Sequence, residues 1–134
     1  RRTGGMIELA IKTALERITG LNAYPLLLPD NEQEGVTFQR ISDPEMYAGT
    51  LRTGLISARF QVTIYRIDDY TDLLQMDKKI WSEWKKIVHG QLENIPVQFI
   101  ERSGIRQDKM TLTNRRSQYR LIRDFIIHYA EDTS

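Results

Sequence analysis

Between Ala58 and Tyr65 the side chains alternate without a break: Ala58, Phe60, Val62 and Ile64 are apolar, and Arg59, Gln61, Thr63 and Tyr65 stand between them. In an extended backbone successive side chains point to opposite faces, so this run presents one face to a core and a polar face away from it. It predicts a strand in a sheet covered on one side only, the arrangement typical of antiparallel sheets with helices packed on one face.

Two segments carry the other period. Ile7, Ala10, Ile11, Ala14, Leu15 and Ile18 recur at helical spacing, with Glu8, Lys12, Glu16 and Arg17 on the remaining faces. Gly20 can take the left-handed conformation that ends a helix, and Pro25 and Pro29 keep the chain extended afterwards. A second helix is predicted from Asp68-Asp69-Tyr70-Thr71-Asp72, whose carboxylates suit a helix start, to about Val88. Its apolar stripe is Leu73, Met76, Ile80, Trp84 and Ile87, and Lys85, Lys86 and His89 lie before Gly90.

Further strands are expected over Val36 to Ser42, Pro96 to Glu101 and Tyr119 to Tyr129, which are rich in β-branched and aromatic residues. The stretch from Asp43 to Gly54, with Pro44, Gly49 and Gly54, reads as a long exposed loop, and so does the polar stretch from Arg102 to Gln118. The order predicts an α+β fold in which two helices pack on one face of a mainly antiparallel four-stranded sheet.

The length of 134 residues suits one domain with one core. Arg1-Arg2-Thr3-Gly4-Gly5 reads as a flexible extension before a candidate start at Met6, which leaves a single domain over 6–134. Hydrophobic residues at 40% and charged residues at 28% are a globular mixture. With no cysteine, disulfides, thiol nucleophiles and cysteine-ligated zinc are excluded, and a reducing cytoplasm is the expected setting. The apolar runs Leu26-Leu27-Leu28 and Phe125-Ile126-Ile127 are far short of a membrane-spanning helix. A net charge of +1 argues against a dedicated nucleic-acid binder unless cations gather locally.

Little in the chain announces chemistry. Asp68, Asp69, Asp72 and Asp77 lack the spacing of a calcium loop, and a helix start accounts for the first three. His89 and His128 are the only histidines, so a histidine-based triad would need a tertiary meeting that no local motif advertises. Ser57, Ser82, Ser103 and Ser117 have no nucleophile-elbow context, and no glycines form a phosphate loop. Trp84 fits core, and Trp81 an edge of the core. No catalytic, cofactor-binding or metal-ligating residue is assigned, and no cofactor is expected. The clearest local bias is basic, from Arg102, Arg106, Lys109, Arg115, Arg116, Arg120 and Arg123, diluted by Glu101, Asp108 and Asp124. A solvated loop, a protein contact and a nucleic-acid backbone contact are the readings open to it.

The order of helix, Pro25-to-Pro29 loop, strand, long loop, the strand Arg59-Phe60-Gln61-Val62-Thr63-Ile64-Tyr65, helix and final strand from Tyr119 to Tyr129 resembles bacteriophage tail-completion proteins. It is most similar to the tail terminator family that includes minor tail protein U and related prophage proteins. The resemblance implies a structural subunit without enzymatic activity, commonly six to a ring, that caps the tail tube, ends its polymerisation and presents a surface to the head connector. It implies as partners further copies of the chain, the tail tube protein and a head-completion or connector protein, with no membrane. It places the protein in the host cytoplasm during assembly and in the virion tail afterwards. Contact loops in such a family point to Tyr47, Arg52, Arg106, Lys109, Arg115 and Arg116. A head-to-tail ring needs two unlike patches, and the acidic loop of Asp30, Glu32 and Glu34 is the candidate complement to the basic segment. The alternative function is a small nucleic-acid-binding or regulatory module.

Overall fold

A computed structural model of the chain describes residues 4–48 and 51–130. The elements run α1 (Gly4–Thr19), β1 (Ala23–Pro25), β2 (Gly35–Ser42), β3 (Glu45–Ala48), β4 (Leu51–Ile67), α2 (Tyr70–Trp84), β5 (Val88–Leu92), β6 (Ile95–Thr111) and β7 (Ser117–Ala130).

The four-stranded expectation is wrong. Six strands follow one hydrogen-bonded path, β1-β2-β4-β7-β6-β5, and β3 pairs β4 off that path. The sheet is mixed, because β1 runs parallel to β2 while every other pair is antiparallel. It is also curled: α1 touches β1 and β2 near one end of the path and β5 and β6 at the other.

Four misreadings account for the difference. Ala23–Pro25, read as part of an extended loop after Gly20, is β1 and runs parallel to β2. The stretch from Asp43 to Gly54 is largely a hairpin, with Glu45 opposite Ile56 and Tyr47 opposite Arg52. Most of the Arg102 to Gln118 stretch is strand as well, since β6 continues to Thr111 before a short turn. The second helix stops at Trp84, with Lys85 as its C-cap, and Val88 already belongs to β5. Gly4 and Gly5, set aside as extension, lie within α1.

Elsewhere the chain follows its pattern. Gly20, at φ +76°, sends its N–H to the Glu16 carbonyl at 3.0 Å and ends α1. Asp69 caps α2 by accepting the Asp72 N–H at 3.0 Å. Ile7, Ile11 and Leu15 of α1 and Leu73, Ile80 and Trp84 of α2 are fully buried with Phe60, Ile64, Leu121 and Phe125 of the sheet. Burial of side chains this large stabilises by about 1.5 to 3 kcal/mol each. Trp84 meets Phe125 edge-on with centroids 4.8 Å apart, so the indole is core as expected.

A buried ion pair fastens α2 to β7. Arg123 points to the helix side, between Leu121 and Phe125, and its guanidinium grips Asp77 with both prongs, at 3.1 and 2.7 Å. Among the carboxylates considered for a cation, Asp77 is therefore committed to Arg123, Asp69 to the helix cap and Asp72 to Arg66 at 2.9 Å. Asp68 does not cap the helix. It accepts the Ser117 N–H and the Arg116 Nε–H, both at 2.9 Å, and so ties the start of α2 to the β6–β7 turn.

Candidate interaction surface

The sheet has two unlike edges. On one side β1 covers only Val36–Phe38 of β2 and ends in Pro25, and Gln39–Ser42 of β2 and the short strand β3 complete that side with no further strand among the described residues. The other edge belongs to β5 and β6. β5 pairs β6 only as far as Phe99, and the rest of β6 has β7 on one side and, among the described residues, no strand on the other. A run of β6 from Gly104 to Thr111 is exposed, including Ile105 and Met110. The unpaired donors and acceptors of such an edge are a template for another chain.

Charge guards this edge. Asp108 accepts from the Arg120 guanidinium at 2.6 Å, Arg102 lies over the Trp81 ring at 5.0 Å and Lys109 over Tyr119 at 5.9 Å. Tyr70 reaches across from α2 and donates its hydroxyl hydrogen to the Gln107 side chain. Arg106 is exposed opposite Ile122, and neither Arg106 nor Arg115 has a carboxylate within ion-pair distance among the described residues. The turn itself is tightly bonded: Arg115 N–H donates to Leu112 O at 2.9 Å and Leu112 N–H to Arg116 O at 2.8 Å. Arg115 sits at φ +67°, the left-handed residue that closes a three-residue hairpin loop after a type I turn.

The structure redistributes the interface residues expected from sequence. Tyr47 and Arg52 face each other across the β3–β4 pair, and their side chains lie outside the described residues. Asp30 and Glu32 are exposed on the loop before β2. Glu34 is occupied internally, accepting the Ile67 N–H at 2.9 Å and pairing with Arg66 at 3.3 Å. Arg116 is likewise occupied by Asp68. Glu32, Glu34 and Arg116 line one shallow cavity with Asn31, Gln33 and Ile67. The acidic loop and the end of the basic segment thus share one end of the molecule, and Glu34 and Arg116 have spent their charge within the chain. They are not two opposed patches.

One constellation escaped the sequence altogether. Ser57 on β4 and His128 on β7 are register partners, and the Ser57 Oγ lies 2.9 Å from His128 Nδ1. His128 Nε2 lies 2.8 Å from Glu101 Oε1 on β6, and the Phe99 ring stacks on the imidazole with centroids 4.2 Å apart. With a proton on Nε2, the neutral imidazole satisfies both bonds: it donates to Glu101 and accepts from Ser57. The residue types are those of a hydrolytic triad, but the surroundings are not. Ser57 stands in a continuous strand, its own N–H is spent on the Pro44 carbonyl at 3.0 Å, and its neighbours belong to the ladder with β7, so no pair of free N–H groups faces its hydroxyl as an oxyanion site requires. What the string does is hold His128, and through it the exposed Phe99 ring, in one orientation. Only the pairing of strands distant in sequence could have revealed it. Among the described residues no group of three or more His, Asp or Glu gathers to hold a metal ion, and no helix is long and apolar enough to cross a membrane.

No family model matches the chain, and no curated protein matches it. A solved structure is similar over 98% of this chain and 100% of its own, with a TM-score of 0.52 and 11% identity. At that identity the likeness shows a shared fold alone.

Proposed function

We propose that the protein is a structural subunit of phage or prophage tail assembly that caps the tail tube as a ring, ends its polymerisation and joins the tail to the head connector. The observation that carries this reading is the pair of unlike sheet edges, one made of the short strands β1 and β3 and the end of β2, the other a long exposed run of β6. A subunit whose two edges differ associates head to tail, and head-to-tail contacts that close by rotation make rings. The ordered, exposed half of β6 adds to the support. Fixing each of its residues costs about 1 to 2 kcal/mol of backbone entropy, and those side chains return little burial within the chain. Such a strand fits a contact surface better than a core element. The reading includes no enzymatic activity, and it follows the family resemblance drawn from the sequence.

The test adds the protein to tube subunits of the same phage as they polymerise and measures tube lengths by electron microscopy. Capping shortens the tubes and narrows their distribution, and the Arg106→Glu/Arg115→Glu variant, which keeps the Arg116–Asp68 tie, restores long ones. Tube lengths that ignore the wild-type protein overturn the reading. Steeply salt-dependent binding to DNA of any sequence would instead support the nucleic-acid-binding alternative, since releasing counterions from phosphates makes affinity fall with salt.

A further inference from the structure

Of the three leucines after β1, Leu28 turns inward, its Cδ2 only 3.0 Å from where a Cβ on Gly35 would lie. Leu26 and Leu27 turn outward and are 61% and 78% exposed. They are held there rigidly: Leu26 N–H donates to Phe38 O at 3.0 Å, and Leu27 N–H to Pro25 O at 2.9 Å. That second bond closes a γ-turn centred on Leu26 at φ +74°, a strained conformation for any residue with a Cβ. The turn thus fixes the backbone of two leucines whose side chains stand on the surface.

The opposite edge carries the counterpart. Val88 on β5 and Phe99 on β6 are direct cross-strand partners on one face, 61% and 42% exposed. The Phe99 ring is fixed by its stack on His128, which Ser57 and Glu101 hold in turn. Charge complements shape. Exposed Asp30 and Glu32 follow the leucines, and exposed Lys85 and Lys86 precede Val88, with no ion-pair partner for any of the four among the described residues.

We infer that the Leu26–Leu27 knob of one copy docks on the Val88–Phe99 patch of the next, with Asp30 and Glu32 facing Lys85 and Lys86. Knob and patch lie at opposite ends of the strand path, so each copy uses both and the contact propagates head to tail. This deepens the ring reading by naming its interface, and it concerns association of the free chain, whether or not a tail tube is present.

The chain has no cysteine, so single cysteines report proximity cleanly. Leu27→Cys and Val88→Cys proteins, each substituted at an exposed site, are treated with a short bis-maleimide at high protein concentration, separately and mixed. The contact predicts linked dimers chiefly in the mixture and a ladder of higher species from a variant carrying both changes. A second arm measures self-association by sedimentation. Lys85→Glu/Lys86→Glu weakens it about tenfold or more, and adding Asp30→Lys/Glu32→Lys restores it. The absence of mixed dimers, or cross-linking of Leu27→Cys only to itself, overturns the inference. Tubes that are capped normally while the mixed pair stays unlinked sink this interface and leave the ring reading standing. Mixed dimers in a protein that never shortens tubes do the reverse.

Discussion

Replacing Asp77 by alanine strikes an ion pair that the fold has taken out of water, the most buried one among the described residues. The side chains of Asp77 and Arg123 are 10% and 12% exposed, and two hydrogen bonds join them across the interface of α2 and β7. Arg123 has one other acceptor, the Ser103 carbonyl at 3.4 Å, too distant to replace a carboxylate. The alanine variant therefore leaves a guanidinium desolvated and unpaired, which costs about 3 to 5 kcal/mol. For a chain of this size each kcal/mol lowers Tm by roughly 3 to 6 °C, so a fall of roughly 9 to 30 °C is expected. Urea unfolding followed by circular dichroism should show a lower midpoint with an unchanged slope, because the surface exposed on unfolding stays the same. The decisive comparison is Asp77→Leu/Arg123→Met. Removing both charges together avoids the orphan, and the double variant should regain most of the loss. A loss below about 1 kcal/mol for Asp77→Ala, or a double variant no more stable than the single, would refute the claim that the pair is dry and coupled.

Trp84→Ala should cost about 3 to 5 kcal/mol, since the indole is 1% exposed against Phe125; Trp84→Phe should cost clearly less, because the indole N–H makes no hydrogen bond that would be lost. Equal losses in urea melts would mean that the polar end of the ring matters and its volume does not. Acid should loosen the tie between α2 and the β6–β7 turn. The Ser117 N–H first, and then Arg116, hold the Asp68 carboxyl below its ordinary value. A carboxyl lowered in the folded state stabilises above its unfolded pKa, and that contribution disappears as pH falls through the folded one. Protection of the Ser117 amide, taken relative to its intrinsic exchange rate at each pH, should fall there more in the wild type than in Asp68→Asn, and equal pH profiles would remove the carboxylate from the account.

How much the sequence could tell depended on which side chains face a core. The alternation from Ala58 to Tyr65 was legible because Ala58, Phe60, Val62 and Ile64 all meet the helices, and β4 does contain it. The second half of β6 was illegible for the converse reason. From Gly104 to Thr111 both faces are exposed, so no period of two was written into it, and its polar content read as loop. β1 is too short and carries a proline, the usual mark of a chain leaving a sheet. β5 was hidden by its neighbours: Ile87 and Val88 extended the stripe of α2, although the helix had ended at Trp84. Among the candidate site residues, sequence found the cations of the open edge but not their commitments. That Arg116 serves Asp68 and Glu34 serves Ile67 follows from which strand ends meet, as does the meeting of Ser57 with His128.

The proposed contact must be weak between any two copies, and its weakness is consistent with a cap. Four partly exposed apolar side chains, Leu26, Leu27, Val88 and Phe99, return roughly 1 to 2 kcal/mol each on burial, a gross gain of about 4 to 8 kcal/mol. Association costs about 4 kcal/mol at the least and often more than 10. The exposed ion pairs of Asp30 and Glu32 with Lys85 and Lys86 add no more than about 1 kcal/mol each and set register more than affinity. On the proposed contact a free pair of subunits is therefore short-lived, and a monomer is the expected species in dilute solution. Closing a ring changes this balance, because the last subunit makes two contacts for one loss of translational freedom. In the proposed role a tube end would do so more strongly, by holding several copies at the spacing the contacts require. Subunits that associate poorly in solution and well on a template cap finished ends without closing into idle rings beforehand.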